Sequence, residues 1–128
     1  MQRAVPAAHR VVLADDDEFV RRALLDLLLD NPNIEVVGDA EDGEAAASLC
    51  AELDPDVAVV DVMMPGGGVA AVRAILAVSP TTKVIAFTAH ADRRTRERLL
   101  ASGASDVVAK GGGQDIAEVI ARVATSGI

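Results

Sequence analysis

The sequence predicts a single doubly wound α/β domain of (βα)5 type, and three observations carry that prediction. Five short, β-branched apolar runs alternate with longer amphipathic segments. The runs are continuously apolar rather than alternating, which suits strands of a parallel sheet covered on both faces. The segments between them follow i, i+3, i+4 spacing, and strict β–α alternation implies right-handed crossovers with helices on both faces of the sheet. A chain of 128 residues is the usual size of one domain and can bury roughly two-thirds of its unfolded surface.

The elements follow in order. Val11-Val12-Leu13-Ala14 forms the first strand, and Val20, Ala23, Leu24, Leu27 and Leu28 the stripe of the first helix, stopped at Asn31-Pro32-Asn33. The second run, Ile34 to Val37, ends in Gly38-Asp39 and fits an edge strand. Asp42 is placed to N-cap the second helix, whose stripe is Ala46, Leu49, Cys50 and Leu53 and whose stop is Asp54-Pro55. Val57 to Val60 is the third strand; Val72, Ile75 and Leu76 mark the third helix, which ends at Ser79-Pro80. Val84 to Phe87 is the fourth strand. The fourth helix, Asp92 to Ala101, is the weakest stripe and carries Arg93, Arg94, Arg96 and Arg98 before Ser102-Gly103. Val107-Val108-Ala109 and the stripe Ile116, Val119, Ile120, Val123 complete the set. Residues 1–9 read as a loose leader that includes His9, and residues 10–126 as the domain, with no output domain in the chain.

Composition excludes several classes. Half the residues are apolar (51%), so the chain is not disordered. No apolar run approaches the ~18 residues that span a bilayer, and no charged start followed by a ~7–15-residue apolar core marks a signal peptide. The lone Cys50 excludes disulfides and cysteine-based zinc and belongs to the core stripe. A net charge of −8 argues against nucleic acid binding by this domain itself. With Phe19 and Phe87 as the only aromatics, stacked bases or flavins have little to rest on. The expectation is a soluble cytoplasmic domain with an acidic site and no membrane contact.

In an open parallel sheet, sites form beyond the C-terminal ends of the strands. Asp15, Asp16 and Asp17 follow the first run, Asp61 the third, Thr88 the fourth and Lys110 the fifth. Crowded carboxylates repel, and a hard divalent cation relieves the repulsion; all-oxygen ligands suit Mg²⁺. Lys110, one of two lysines in the chain, is a point charge suited to a phosphoryl oxygen, and Thr88 can donate to another. Asp61, alone after its strand, is then placed as a nucleophile that becomes an aspartyl phosphate. Asp17 and Glu18 read as helix-start residues, and His90 as a rim residue without a second histidine nearby. Neither triple glycine continues into a phosphate-loop signature.

Val11-Val12-Leu13-Ala14-Asp15-Asp16, Asp61-Val62-Met63-Met64-Pro65-Gly66, Phe87-Thr88-Ala89 and Val108-Ala109-Lys110 together resemble the receiver domain of two-component response regulators. The likeness covers roughly residues 10–125. Pro32 to Gly38 with Glu41 to Ala45 looks most like the subfamily whose full-length members carry a C-terminal helix-turn-helix. The resemblance implies a flavodoxin-like sheet of order 2-1-3-4-5 and a role in transcription regulation or a phosphorelay. It implies that Asp61 is phosphorylated by a sensor histidine kinase. It also implies that Asp15, Asp16, Asp61 and the backbone carbonyl of Met63 hold Mg²⁺, and that Thr88 and Lys110 sense the phosphoryl group. It further implies partner or homodimer contacts through the fourth helix, fifth strand and fifth helix, where the arginine cluster lies. Such a domain assists only its own phosphorylation and dephosphorylation and is not otherwise an enzyme.

Departures from the pattern matter too. Val107 stands where receivers usually keep an aromatic that reports phosphorylation. Gly111-Gly112-Gly113 replaces a common proline after the lysine and suggests a mobile loop. Gly66-Gly67-Gly68 loosens the start of the third helix. Met63 and His90 occupy positions that tune hydrolysis; a methionine cannot orient water, so self-dephosphorylation is expected to be slow. A degenerate receiver that binds partners constitutively is one alternative. A Mg²⁺-dependent phosphohydrolase is another, but it needs a carboxylate where Met63 stands. An electron carrier of flavodoxin type lacks the aromatics.

Overall fold

A computed structural model describes residues 8–126. Ten elements alternate along it: β1 (His9–Ala14), α1 (Glu18–Leu29), β2 (Ile34–Ala40), α2 (Gly43–Leu53), β3 (Val57–Asp61), α3 (Gly68–Val78), β4 (Lys83–Thr88), α4 (Arg93–Ala101), β5 (Asp106–Ala109) and α5 (Ile116–Thr125). The five strands form one parallel sheet of order β2-β1-β3-β4-β5. No helix of the described residues is long and apolar enough to cross a membrane.

Continuous apolar strands give each face of the sheet its own core. Val12, Ala14, Ala58, Val60, Val84, Ala86 and Val107 point to one face, where Ala46 and Cys50 of α2, Val72 and Ile75 of α3 and Leu99 of α4 cover them. Val11, Leu13, Val57, Val59, Ile85 and Val108 point to the other, under Leu24 and Leu28 of α1 and Ile116, Val119, Ile120 and Val123 of α5. Each large apolar side chain removed from water in this way contributes about 1.5–3 kcal/mol. β3 is buried along its whole length, as a central strand should be.

Four helices start in the same way. Asp17, Asp42, Asp92 and Asp115 each accept a hydrogen bond from the first turn of α1, α2, α4 and α5; such a cap stabilises by about 1 kcal/mol. Much of the acidity is therefore spread over helix starts. The exception is α3, where Gly67 sits at φ 88° with no side-chain cap, as the triple glycine implied. At the other end of α4, Gly103 adopts φ +114°, and a Cβ there would stand 2.5 Å from a Leu76 methyl, so only glycine fits.

Three details correct the sequence reading. β1 begins at His9, which pairs with Ile34, so His9 is strand rather than leader; residues 1–7 of that leader lie outside the described residues. β2 runs on to Ala40 through an irregularity opposite Val11 and Val12, beyond the predicted Val37. On α1, Ala23 is exposed and Leu27 is 58% exposed. The buried stripe is instead Leu24 and Leu28, with Val20 and Leu25 packed beside them.

Candidate functional site

The site is assembled by strand ends. Asp15 follows β1, Asp61 is the last residue of β3, Thr88 the last of β4, and Lys110 comes directly after β5. Because β1, β3, β4 and β5 are adjacent and parallel, their C-terminal ends share one rim.

Asp15 and Asp61 are buried, at 1% and 4% exposure. Lys110 reaches between them, its Nζ 3.1 Å from Asp15 Oδ2 and 3.2 Å from Asp61 Oδ1. The Lys110 ammonium stands over the Phe87 ring, its Nζ 5.5 Å from the centroid, a contact that favours the cation. Burial pulls the Lys110 pKa down, but hydrogen bonds and attraction from Asp15 and Asp61 outweigh it, and the net shift is upward. The lysine is therefore a fixed ammonium at neutral pH.

Backbone donors hold the carboxylates. The Asp17 amide donates to Asp15 Oδ1 at 2.9 Å, and the Met63 amide donates to Asp61 Oδ1 at 3.1 Å. Asp16 is exposed, and carboxylate oxygens of Asp15, Asp16 and Asp61 lie within 4.8 Å of one another. Three carboxylates thus face one ammonium. The excess negative charge, the all-oxygen donor set and the open side at Asp16 fit a hard divalent cation that keeps several waters. The trio is able to hold a metal.

Thr88 is fully buried. Its Oγ1 accepts from the His90 amide at 3.0 Å, and its carbonyl accepts from the Lys110 amide at 2.7 Å. Its backbone thus ties β4 to the lysine, whereas its hydroxyl makes no hydrogen bond to Asp61 or Lys110. The Met63 side chain is 61% exposed at the rim, and His90 is an exposed rim residue. Val107 lies buried among the α3 and α4 side chains, and Arg96 of α4 donates to its carbonyl at 2.7 Å. Gly111 and Gly113 after the lysine adopt positive φ of 73° and 83°.

Two site residues escaped the sequence reading. Arg21 of α1 donates to the Asp15 carbonyl at 2.7 Å and to Asp39 Oδ2 at 2.8 Å, tying the acidic loop to the edge strand. Phe87, read as strand and as part of the Phe87-Thr88-Ala89 fragment, lies under the Lys110 ammonium. Both roles depend on neighbouring strands, which no local pattern shows.

A doubly wound 2-1-3-4-5 sheet with its charged groups gathered in the crevice beyond the strand ends is a flavodoxin-like α/β domain with an acidic, metal-competent site. Residues 11–123 match the response regulator receiver domain, and the chain belongs to that family, the receivers of two-component signalling. It is 38% identical over 115 residues to the response regulator GacA of Pseudomonas viridiflava, covering 89% of this chain and 53% of that protein. It is 35% identical over 115 residues to the response regulator UvrY of Escherichia coli, covering 88% of this chain and 53% of that protein. Among solved structures, the signal receiver domain of NarL from Mycobacterium tuberculosis is similar, with a TM-score of 0.82, 31% identity, and coverage of 92% of this chain and 94% of that one. The chain spans about half the length of these two response regulators.

Proposed function

We propose that this receiver is switched by phosphorylation of Asp61, with a phosphohistidine of a sensor kinase as donor. The observation that carries the reading is the placement of Lys110 Nζ within 3.2 Å of both Asp15 and Asp61, beside an acidic trio able to hold a cation. A carboxylate oxygen of Asp61 attacks the phosphorus, the phosphorus–nitrogen bond breaks, and the imidazole leaves and takes up a proton from water. Lys110 neutralises charge on the transferring group, and the Met63 amide orients the attacking carboxylate. Asp15, Asp16, Asp61 and the Met63 carbonyl would hold Mg²⁺, which offsets the carboxylate charge that otherwise repels an incoming phosphoryl group. Thr88, one strand over, supplies a hydroxyl to the phosphorylated state.

Several finer assignments rest on the same reading. Met63 gives the site no group that orients water, so the phosphoryl group is long-lived. α4, β5 and α5 form the face that changes partner or homodimer contacts, with Val107 in place of a moving aromatic. The domain works in the cytoplasm.

The test is incubation with Mg²⁺ and acetyl phosphate, followed by intact mass. An adduct of about 80 Da is expected on the wild type and absent from Asp61→Asn. No adduct despite measurable Mg²⁺ binding would favour a receiver that acts by constitutive protein contacts. Sustained release of inorganic phosphate from small phosphate esters would favour a phosphohydrolase.

A further inference from the structure

A second cavity lies between α3 and α4, on the side of the sheet away from α1 and α5. It has a volume of about 500 Å³, enough for a small metabolite. Its apolar floor includes Met63, Val69 and Leu99, and its polar groups are Arg73, Arg98 and His90. No carboxylate lines it, although the chain carries 20 acidic residues and a net charge of −8. In a protein this acidic, a cavity with two guanidiniums and no acid is a local reversal of the field.

The arginines themselves are informative. Arg21, Arg22, Arg93 and Arg122 each hold a carboxylate, and Arg10 and Arg96 donate to backbone carbonyls. Among the described residues, Arg94, which does not line the cavity, is likewise without a partner, and the guanidiniums of Arg73 and Arg98 have neither an ion pair nor a hydrogen bond. They come from neighbouring helices, and both open onto the same cavity. Two planar forks without partners along one cavity suit the oxygens of a phosphate or carboxylate group, which a guanidinium can bind in bidentate fashion. Thr88 adds a hydroxyl to the lining, whereas that of Thr95 is already committed to Asp92 Oδ2 at 3.0 Å. Thr88 Oγ1 already accepts from the His90 amide, while its own proton has no acceptor among the described residues and is free for an anion.

We propose that this α3–α4 cavity binds a small oxyanionic molecule, gripped by Arg73 and Arg98 with its apolar part against Met63 and Leu99. The cavity adjoins the phosphorylation rim and shares Met63 and Thr88 with it, but none of Asp15, Asp16, Asp61 and Lys110 lines it. It would give the receiver a second, ligand-controlled input beside Thr88.

The test is an amide-resolved NMR titration of the intact chain with pyrophosphate and, separately, with citrate. Protein and titrants are first passed over a chelating resin, which removes divalent cations from the acidic trio without adding a soluble polycarboxylate, and sodium chloride matches the ionic strength. Saturable shifts at Gly68 to Ala70, Thr95 and Arg98 are expected, with one of the two anions preferred; that preference identifies phosphate or carboxylate chemistry. Arg73→Gln with Arg98→Gln should weaken binding at least about tenfold, the value of one charge-assisted hydrogen bond. Arg98→Lys should fall between, and Arg22→Gln on the opposite side of the sheet should change nothing. Both cavity arginines are exposed, so the double variant keeps its fold, checked by an otherwise unchanged spectrum. Shifts that do not saturate, or that persist at full strength in the double variant, would overturn the proposal.

Discussion

The two ends of the sheet put polar groups to opposite uses. At the N-terminal ends of β3 and β4, Thr82 Oγ1 donates to the Pro55 carbonyl at 2.8 Å, and the Ser79 hydroxyl, 2.6 Å away, donates to Thr82 in turn. Asp54, held at φ 47°, lies 3.3 Å from both Ser79 Oγ and Thr81 Oγ1. Arg10 closes the cluster through the Leu53 carbonyl and its own amide to Asp56. There the buried hydroxyls of Ser79 and Thr82 and the Pro55 carbonyl satisfy one another, and the charged groups of Asp54, Asp56 and Arg10 only flank them. At the C-terminal end, Asp15 and Asp61 share one ammonium, and Asp16 beside them leaves negative charge in excess. A satisfied network fixes a fold, and an unsatisfied one leaves room for a ligand. The comparison separates scaffold from site without reference to any relative.

Removing the ammonium should break the contrast most severely. Lys110→Met keeps much of the side chain's bulk but leaves two buried carboxylates without their cation. A loss of about 3 kcal/mol is expected in urea unfolding with EDTA present. Millimolar Mg²⁺ should recover much of it, because binding to the folded state alone stabilises that state. A loss below about 0.5 kcal/mol, within the range of an ordinary surface change, would mean that the carboxylates are not strained by crowding.

The scaffold end answers differently. Thr82→Val keeps shape but removes the hydroxyl, leaving Ser79 and the Pro55 carbonyl short of a partner at a cost of about 1–2 kcal/mol. Formation of the acetyl phosphate adduct at saturating Mg²⁺ should be unchanged. A slowed adduct would show that the two ends are coupled through β3 and β4 and would weaken the division drawn between them.

The same division explains what could be read from residues alone. The strands and the site were legible together: an apolar run buried on both faces must end at the surface, and the residue that ends it is thrown onto the rim. Asp61 and Lys110 were found in this way. The scaffold cluster was not, because Ser79 and Asp54 are 25 positions apart and meet only when α2 and α3 are packed. The stripe of α1 was misread because Leu24, Leu25, Leu27, Leu28 and Leu29 satisfy helical spacing in more than one phase. Which phase is buried depends on α5 and the sheet, and Leu27 lost. His9 was missed because the exposed beginning of a strand needs no apolar residue.

Asp16→Asn should give a smaller change. Asp16 is exposed, so neutralising it should alter stability in EDTA by less than about 0.5 kcal/mol. The stabilisation gained on adding Mg²⁺ should nevertheless shrink, since one of three candidate ligands is gone. An undiminished gain would place the cation elsewhere.

The smallest effect is a slope at alkaline pH, and its sign follows from Lys110. Its folded-state pKa lies above the ordinary value of 10.5 because hydrogen bonds to Asp15 and Asp61 outweigh the opposing effect of burial. The folded state therefore keeps a proton that the unfolded chain has begun to lose. The lysine's contribution is complete below pH 10.5 and disappears as pH rises through the higher folded value. Cys50 complicates the raw curve: burial pushes its thiol up to about 11 from 9.0, and the unfolded thiolate also draws stability down in this range. Wild type and Lys110→Met share Cys50, so their difference in unfolding free energy removes it. No tyrosine is present, and Lys83 is the only other lysine. That difference should shrink between neutral pH and pH above 10.5, whereas the difference between wild type and Thr82→Val should stay flat. A Lys110 difference that is equally flat would mean that the ammonium gains nothing from its carboxylates, and the charged rim would then be no more strained than the neutral one.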